Sequence, residues 1–108
     1  MGEAQRTISL IEGVVPNPPD VSIWSDEPGV LILKLMPSPD DVLPVLGYRI
    51  QWRLVTDNVW RQVRYHRASE GNEFVIQDLS FESDYAVRVA AHNSVGYSNY
   101  SEEIVQKD

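Results

Sequence analysis

The chain has 108 residues, 43% of them hydrophobic and 23% charged, enough for one domain that buries roughly two-thirds of its unfolded surface. It has no cysteine, which excludes a disulfide framework, a thiolate nucleophile and a cysteine-ligated metal, and no apolar run long enough for this segment to insert in a membrane. A formal net charge of -7 excludes a general nucleic-acid binder, because phosphate recognition draws on released counterions and an electropositive face.

Residues 1–17 are predicted to be a linker or the end of a preceding domain. A short apolar patch, Ile8, Leu10 and Ile11, leads to Pro16, Pro18 and Pro19, which lack backbone donors and hold the chain extended. Met1-Gly2 opens no basic, apolar and small-residue leader, so the chain reads as a piece cut from something longer. The domain proper is expected over residues 18–108. Its signal is alternation with period two, which sends successive side chains to opposite faces of a sheet.

An opening strand is predicted at Val21–Trp24. Leu31, Leu33 and Leu35 then alternate with Ile32, Lys34 and Met36, until Pro37, Pro39 and Asp40-Asp41 stop the strand. Tyr48, Ile50 and Trp52 alternate with Arg49, Gln51 and Arg53. After a turn at Thr56-Asp57-Asn58, a strand is expected from Val59 to Tyr65, with either Trp60 or Val63 facing inward. Phe74 and Ile76 begin the next. Tyr85, Val87, Val89 and Ala91 alternate with Ala86, Arg88, Ala90 and His92 in the longest strand; Gly96 permits a turn, and Tyr100–Val105 supplies the last.

About seven short strands separated by turn residues predict an all-β, two-sheet antiparallel sandwich, with the sheets roughly 10 Å apart. The predicted core is Leu31, Leu33, Leu35, Tyr48, Ile50, Trp52, Phe74, Ile76, Leu79, Val87 and Val89.

Several stretches between Pro18 and Val105 resemble the fibronectin type III family. They are Pro18-Pro19, Gly47-Tyr48-Arg49-Ile50-Gln51-Trp52, Leu79 with Tyr85 following, and Ala91-His92-Asn93-Ser94-Val95-Gly96-Tyr97-Ser98. The resemblance implies a tyrosine corner at Leu79 and Tyr85, whose phenol returns a hydrogen bond to upstream backbone. Two positions depart from the family pattern: Leu35 stands where a tryptophan is usual, with Trp52 available to fill core volume, and Phe81 stands for the corner proline. Trp52-Arg53 with Val59-Trp60, and Tyr85–Ala91 leading to Asn93, are similar to domains of neural cell-adhesion molecules of the immunoglobulin superfamily, including the fasciclin type. That narrower likeness implies a cell-surface ectodomain engaged in homophilic or receptor-directed adhesion.

Three candidate sites follow. Asn99-Tyr100-Ser101 is an Asn-x-Ser/Thr acceptor, so Asn99 is a candidate for glycosylation. Arg49, Arg53 and Arg88 are expected on one outward sheet face, with Arg61, Arg64 and Arg67 on the adjoining edge. Such a basic face would attract a sulfated glycan or acidic protein surface, or else merely solvate the sheet and pair with acids such as Asp57 or Glu73. The turn carrying Asn93, Val95 and Tyr97 is the expected protein contact, since loops at sandwich ends hold binding residues; the alternative is that Asn93 and Gly96 only shape it. No cofactor site, metal site or catalytic residue is predicted. Asp40-Asp41 and Glu102-Glu103 lack the ligand number that calcium needs, and His66 and His92 lie apart from any nucleophile motif. The expected function is a non-catalytic interaction and spacer module on the extracellular side of the plasma membrane, with other cell-surface proteins as partners. The competing expectation is a spacer in an intracellular, muscle-type filament protein.

Overall fold

A computed structural model describes residues 13–108, so the patch Ile8, Leu10 and Ile11 lies outside the described residues. The alternating segments form seven strands: β1 (Asp20–Trp24), β2 (Leu31–Met36), β3 (Gly47–Leu54), β4 (Gln62–Arg67), β5 (Glu73–Ile76), β6 (Asp84–His92) and β7 (Ile104–Lys107). A single 3₁₀ turn, Ala68–Glu70, joins β4 to β5. The strands divide into a three-stranded sheet, β1-β2-β5, and a four-stranded sheet, β4-β3-β6-β7. Every pairing is antiparallel.

Register explains the core. Leu33 on β2 sits opposite Ile23 on one side and Phe74 on the other, while Ile50 on β3 sits opposite Val89. Side chains directly opposite share a face, so these rows point into the gap between the sheets. Leu31, Leu33, Leu35, Ile50, Val87 and Val89 are fully buried there. Phe74 departs from the expected core, being only half-buried because β5 is an edge strand. Its ring instead closes the flank, 6.2 Å from Trp52 and 5.7 Å from His66.

The fourth strand also differs from expectation, beginning at Gln62 rather than Val59. Backbone at the preceding turn is already committed: the Asp57 amide donates to the Leu54 carbonyl (3.0 Å), and the Asp57 carboxylate accepts from the Val59 amide (3.2 Å). Neither Trp60 nor Val63 faces inward. Val63 pairs with Gln51 on the outward face, and the inward positions of β4 are Gln62, Arg64 and His66, opposite Trp52, Ile50 and Tyr48. The last strand is Ile104–Lys107 rather than Tyr100–Val105. Before it, Ser98 and Ser101 pair with β6 half through backbone and half through side chain: their amides donate to the Ala91 and Val89 carbonyls (2.8 and 2.7 Å), while Ser98 Oγ accepts from the Ala91 amide (2.8 Å) and Ser101 Oγ from the Val89 amide (3.0 Å).

The crossing between sheets is fastened at the β5–β6 connection. The Tyr85 hydroxyl accepts from the Ser80 amide at 2.8 Å, and the Leu79 amide donates to the Gly29 carbonyl at 3.0 Å. Gly29 has φ +82°, and a Cβ there would come within 2.8 Å of the Phe81 ring, so only glycine fits comfortably. Phe81 itself remains 70% exposed.

Tyr48 is buried, and burial first, then the charge of Asp41, raises its phenol above the ordinary value of 10.0. A folded-state value above the unfolded one means stability fully present below the unfolded value and lost as pH rises through the folded value. Unfolding free energy is therefore expected to fall above about pH 10, and Tyr48→Phe to flatten that fall. Urea titrations on both sides of this range check it; an unchanged alkaline slope would refute it.

Candidate protein interaction surface

The outward face of the four-stranded sheet is built by the β3–β6 register, which sets Arg49, Gln51 and Arg53 opposite Ala90, Arg88 and Ala86. Alternation places all of these on the side away from the core. The arginines do not stand free, however. Trp60, from the turn before β4, lies between two of them, with guanidinium carbons of Arg53 and Arg88 at 4.7 Å and 4.3 Å from its ring centroid. The other side of Arg88 meets the Tyr100 ring at 4.3 Å, and its Nε donates to Gln51 Oε1 at 2.7 Å. Arg53 forms an ion pair with Glu103 (3.2 Å) and donates to the Asp57 carbonyl at 2.8 Å.

A second stack continues the layer toward the end of β6. Arg49 lies 3.9 Å over the Tyr97 ring, Tyr97 stacks on His92 at 4.3 Å, and a 2.9 Å hydrogen bond joins Tyr65 Oη to His92 Nδ1. Arg49 is raised above its ordinary value, first by hydrogen bonding to Tyr100, against a smaller opposing effect of burial. The guanidinium faces are thus satisfied by aromatic rings, an arrangement stabilising in partly desolvated layers.

This corrects the predicted basic face. Arg49, Arg53 and Arg88 share the face but are interleaved with Trp60, Tyr97 and Tyr100. Arg61 lies outside the strand and pairs with Asp57 at 3.3 Å. Arg64 sits opposite Ile50, hence on the other side of the sheet, where it projects at the β4 edge. The expected pairing to Glu73 is also absent among the described residues, where Glu73 sits opposite Lys34 on the three-stranded sheet.

The expected contact turn needs a similar correction. Asn93 is 2% exposed, and its side chain is engaged at both ends: Oδ1 accepts from the Val95 and Gly96 amides (2.9 and 3.2 Å), and Nδ2 donates to the Val14 carbonyl (2.9 Å). It shapes the turn and ties down the incoming chain, and its burial keeps it from the surface a partner would touch. Tyr97 is half-buried between Arg49 and His92, whereas Val95 and Asn99 are exposed. Sequence reasoning missed Trp60 and Tyr100 as parts of this layer. The available signal was an outward arginine on each of two neighbouring strands, which calls for flat partners from adjoining loops.

Trp60→Ala is expected to destabilise the domain by about 1–2 kcal/mol, from two lost ring contacts and the lost cover over the sheet. Urea unfolding measures it, and a change smaller than about 0.3 kcal/mol would show the stack to be incidental.

The family model described as fibronectin type III domain matches residues 16–107. The chain belongs to the fibronectin type III family. Among its relatives, human (Homo sapiens) neural cell adhesion molecule 1 is 28% identical over 106 residues, covering 94% of this chain and 12% of that protein. M-protein of striated muscle from Gallus gallus is 29% identical over 90 residues, covering 83% of this chain and 6% of that protein. Domains A168–A170 of titin superpose with a TM-score of 0.71 at 24% identity, over 86% of this chain and 32% of that one, a likeness of fold. This fibronectin domain therefore spans only a small part of the curated relatives it matches. Among its described residues, no group of three or more histidine, aspartate or glutamate side chains could hold a metal ion.

Proposed function

We propose that the chain is a non-catalytic binding and spacing module of a cell-surface adhesion molecule or receptor ectodomain, on the extracellular side of the plasma membrane, with other cell-surface proteins as partners. The observation that carries this reading is the path of the chain. It enters at one pole, where the Val14 carbonyl meets Asn93 beyond the end of β6, and leaves at the other, where the Asp108 amide donates to the Ser83 carbonyl (3.2 Å) just before β6. The nine residues of β6 between these points span roughly 30 Å. A unit with its ends at opposite poles and a sheet stiffened by stacked side chains sets the spacing of whatever it is joined to. Similarity to neural cell adhesion molecule 1 supports the adhesion setting. We further propose a domain boundary near residue 18 and glycosylation at Asn99, which is exposed beside the β6–β7 turn.

Similarity to the striated-muscle M-protein favours a second reading, a spacer in a filament protein. Secretion from animal cells followed by intact mass analysis separates the two. The adhesion reading expects an N-glycan that disappears in Asn99→Gln; secreted protein bearing no glycan would remove that support and promote the filament spacer.

A further inference from the structure

The flank of the sandwich between β4 and β5 carries features that spacing does not use. Among the described residues β4 pairs only with β3 and β5 only with β2, so each has a row of backbone donors and acceptors without a strand partner there. They lie on the same flank, since His66 and Phe74 meet across it, whereas β1 and β7 touch on the other. Toward the start of β4 the flank opens into a cleft of about 360 Å³, lined by the buried Trp52, Leu79 and Tyr85 and by the exposed Arg61, Gln62 and Arg64. Three arginines line it against two aspartates, in a chain whose formal net charge is -7. Arg53 is committed to Glu103 and Arg61 to Asp57. Arg64 is exposed, and its one hydrogen bond among the described residues goes to the neighbouring Val63 carbonyl, at 3.3 Å.

We propose that this flank binds an acidic peptide segment, extended along β4 as an added strand. Alternation in such a strand sends every second side chain inward. A carboxylate level with Arg64 therefore meets a guanidinium that has no ion pair among the described residues, and an apolar residue two positions along, level with Gln62, meets the cleft lined by Trp52, Leu79 and Tyr85. A second copy of β4 is disfavoured, because pairing the arginine-bearing strand with itself opposes like charges. A sulfated glycan offers charge, but neither a backbone for the open edge nor an apolar group for the cleft. The inference rests on the reading of the chain as a binding module and is independent of its compartment.

The test titrates the 108-residue chain with a capped peptide of repeating glutamate-threonine-valine-threonine, which sets glutamate and valine two positions apart on one face of a strand, by calorimetry, alongside amide hydrogen exchange. Binding is expected at low ionic strength, weakened by salt, with new protection on β4. Arg64→Glu is expected to lower affinity at least about tenfold, with unfolding midpoint unchanged because the side chain is exposed. Absence of peptide binding, equal binding by Arg64→Glu, or protection away from β4 would overturn the proposal. So would retention of a heparin oligosaccharide with no binding of the peptide, or Arg64-dependent self-association in sedimentation without it. The glycan measurement at Asn99 reads the adhesion setting separately, so failure here leaves that result standing.

Discussion

Leu33→Ala is expected to lower the unfolding free energy by about 3 kcal/mol, within the range for deleting a buried leucine side chain. Leu33 has 0% exposure and occupies the middle of the central strand of the three-stranded sheet. Ile23 and Phe74 flank it in the same row, and Ile50 and Val89 belong to the same buried cluster. A site hemmed in by two hydrogen-bonded sheets collapses poorly, so lost transfer energy and residual cavity add together. The chain has no disulfide to compensate, and a domain of this size holds only about 5–15 kcal/mol in total. Urea unfolding should show a lower midpoint with an unchanged slope. Val75→Ala, on the outward face of the adjacent strand and 46% exposed, should change stability by less than about 0.5 kcal/mol. If the two variants behaved alike, the inward assignment of the β2 leucines would be wrong.

That pair of substitutions marks where the fold was legible in the sequence. A strand whose two faces see different solvents must alternate, so β2, β3 and β6 could be read directly from their apolar residues, and ten of the eleven predicted core residues are buried. Edge strands carry a weaker signal. β4 exposes five of its six residues, so no apolar period fixed its start, and the turn bonds that displace it are made by the amide and the carboxylate of one residue, Asp57. β7 was misplaced for another reason: Ser98 and Ser101 satisfy β6 with their amides and their hydroxyls together, a pairing that leaves no alternation to read. The arginine layer was half legible. Period two put Arg49, Arg53 and Arg88 on one face, but Trp60, Tyr97 and Tyr100 reach them from loops, and loop trajectories depend on contacts distant in sequence. Arg64 was expected on the adjoining edge, where it stands, but its side of the sheet was left open, because its register against β3 depends on where the turn ends and a slip of one residue reverses every side chain.

Asn93→Ala is expected to cost about 2–3 kcal/mol, an unusually large effect for a turn residue. Three side-chain hydrogen bonds vanish, each contributing about 1 kcal/mol net where buried, and the donors of Val95 and Gly96 lose the acceptor that holds the turn. The backbone amide of Asn93 still donates to the Gly96 carbonyl at 3.0 Å, so the turn should loosen rather than unfold. Asn93→Asp separates the two jobs of the side chain. It keeps an acceptor for Val95 and Gly96 but replaces the Nδ2 donor with an oxygen facing the Val14 carbonyl, an unfavourable contact that releases the incoming chain. Amide exchange should therefore accelerate at Val95 and Gly96 in the alanine variant, whereas the aspartate variant should keep their protection and still lose stability. Accelerated exchange at these two amides in both variants would mean that the tether to Val14 holds the turn, rather than the turn positioning the tether. Because Val14 is where the chain enters the sandwich, the answer decides whether the orientation of a preceding segment is set by the β6–β7 turn, and so whether that turn belongs to the spacing function instead of to partner contact.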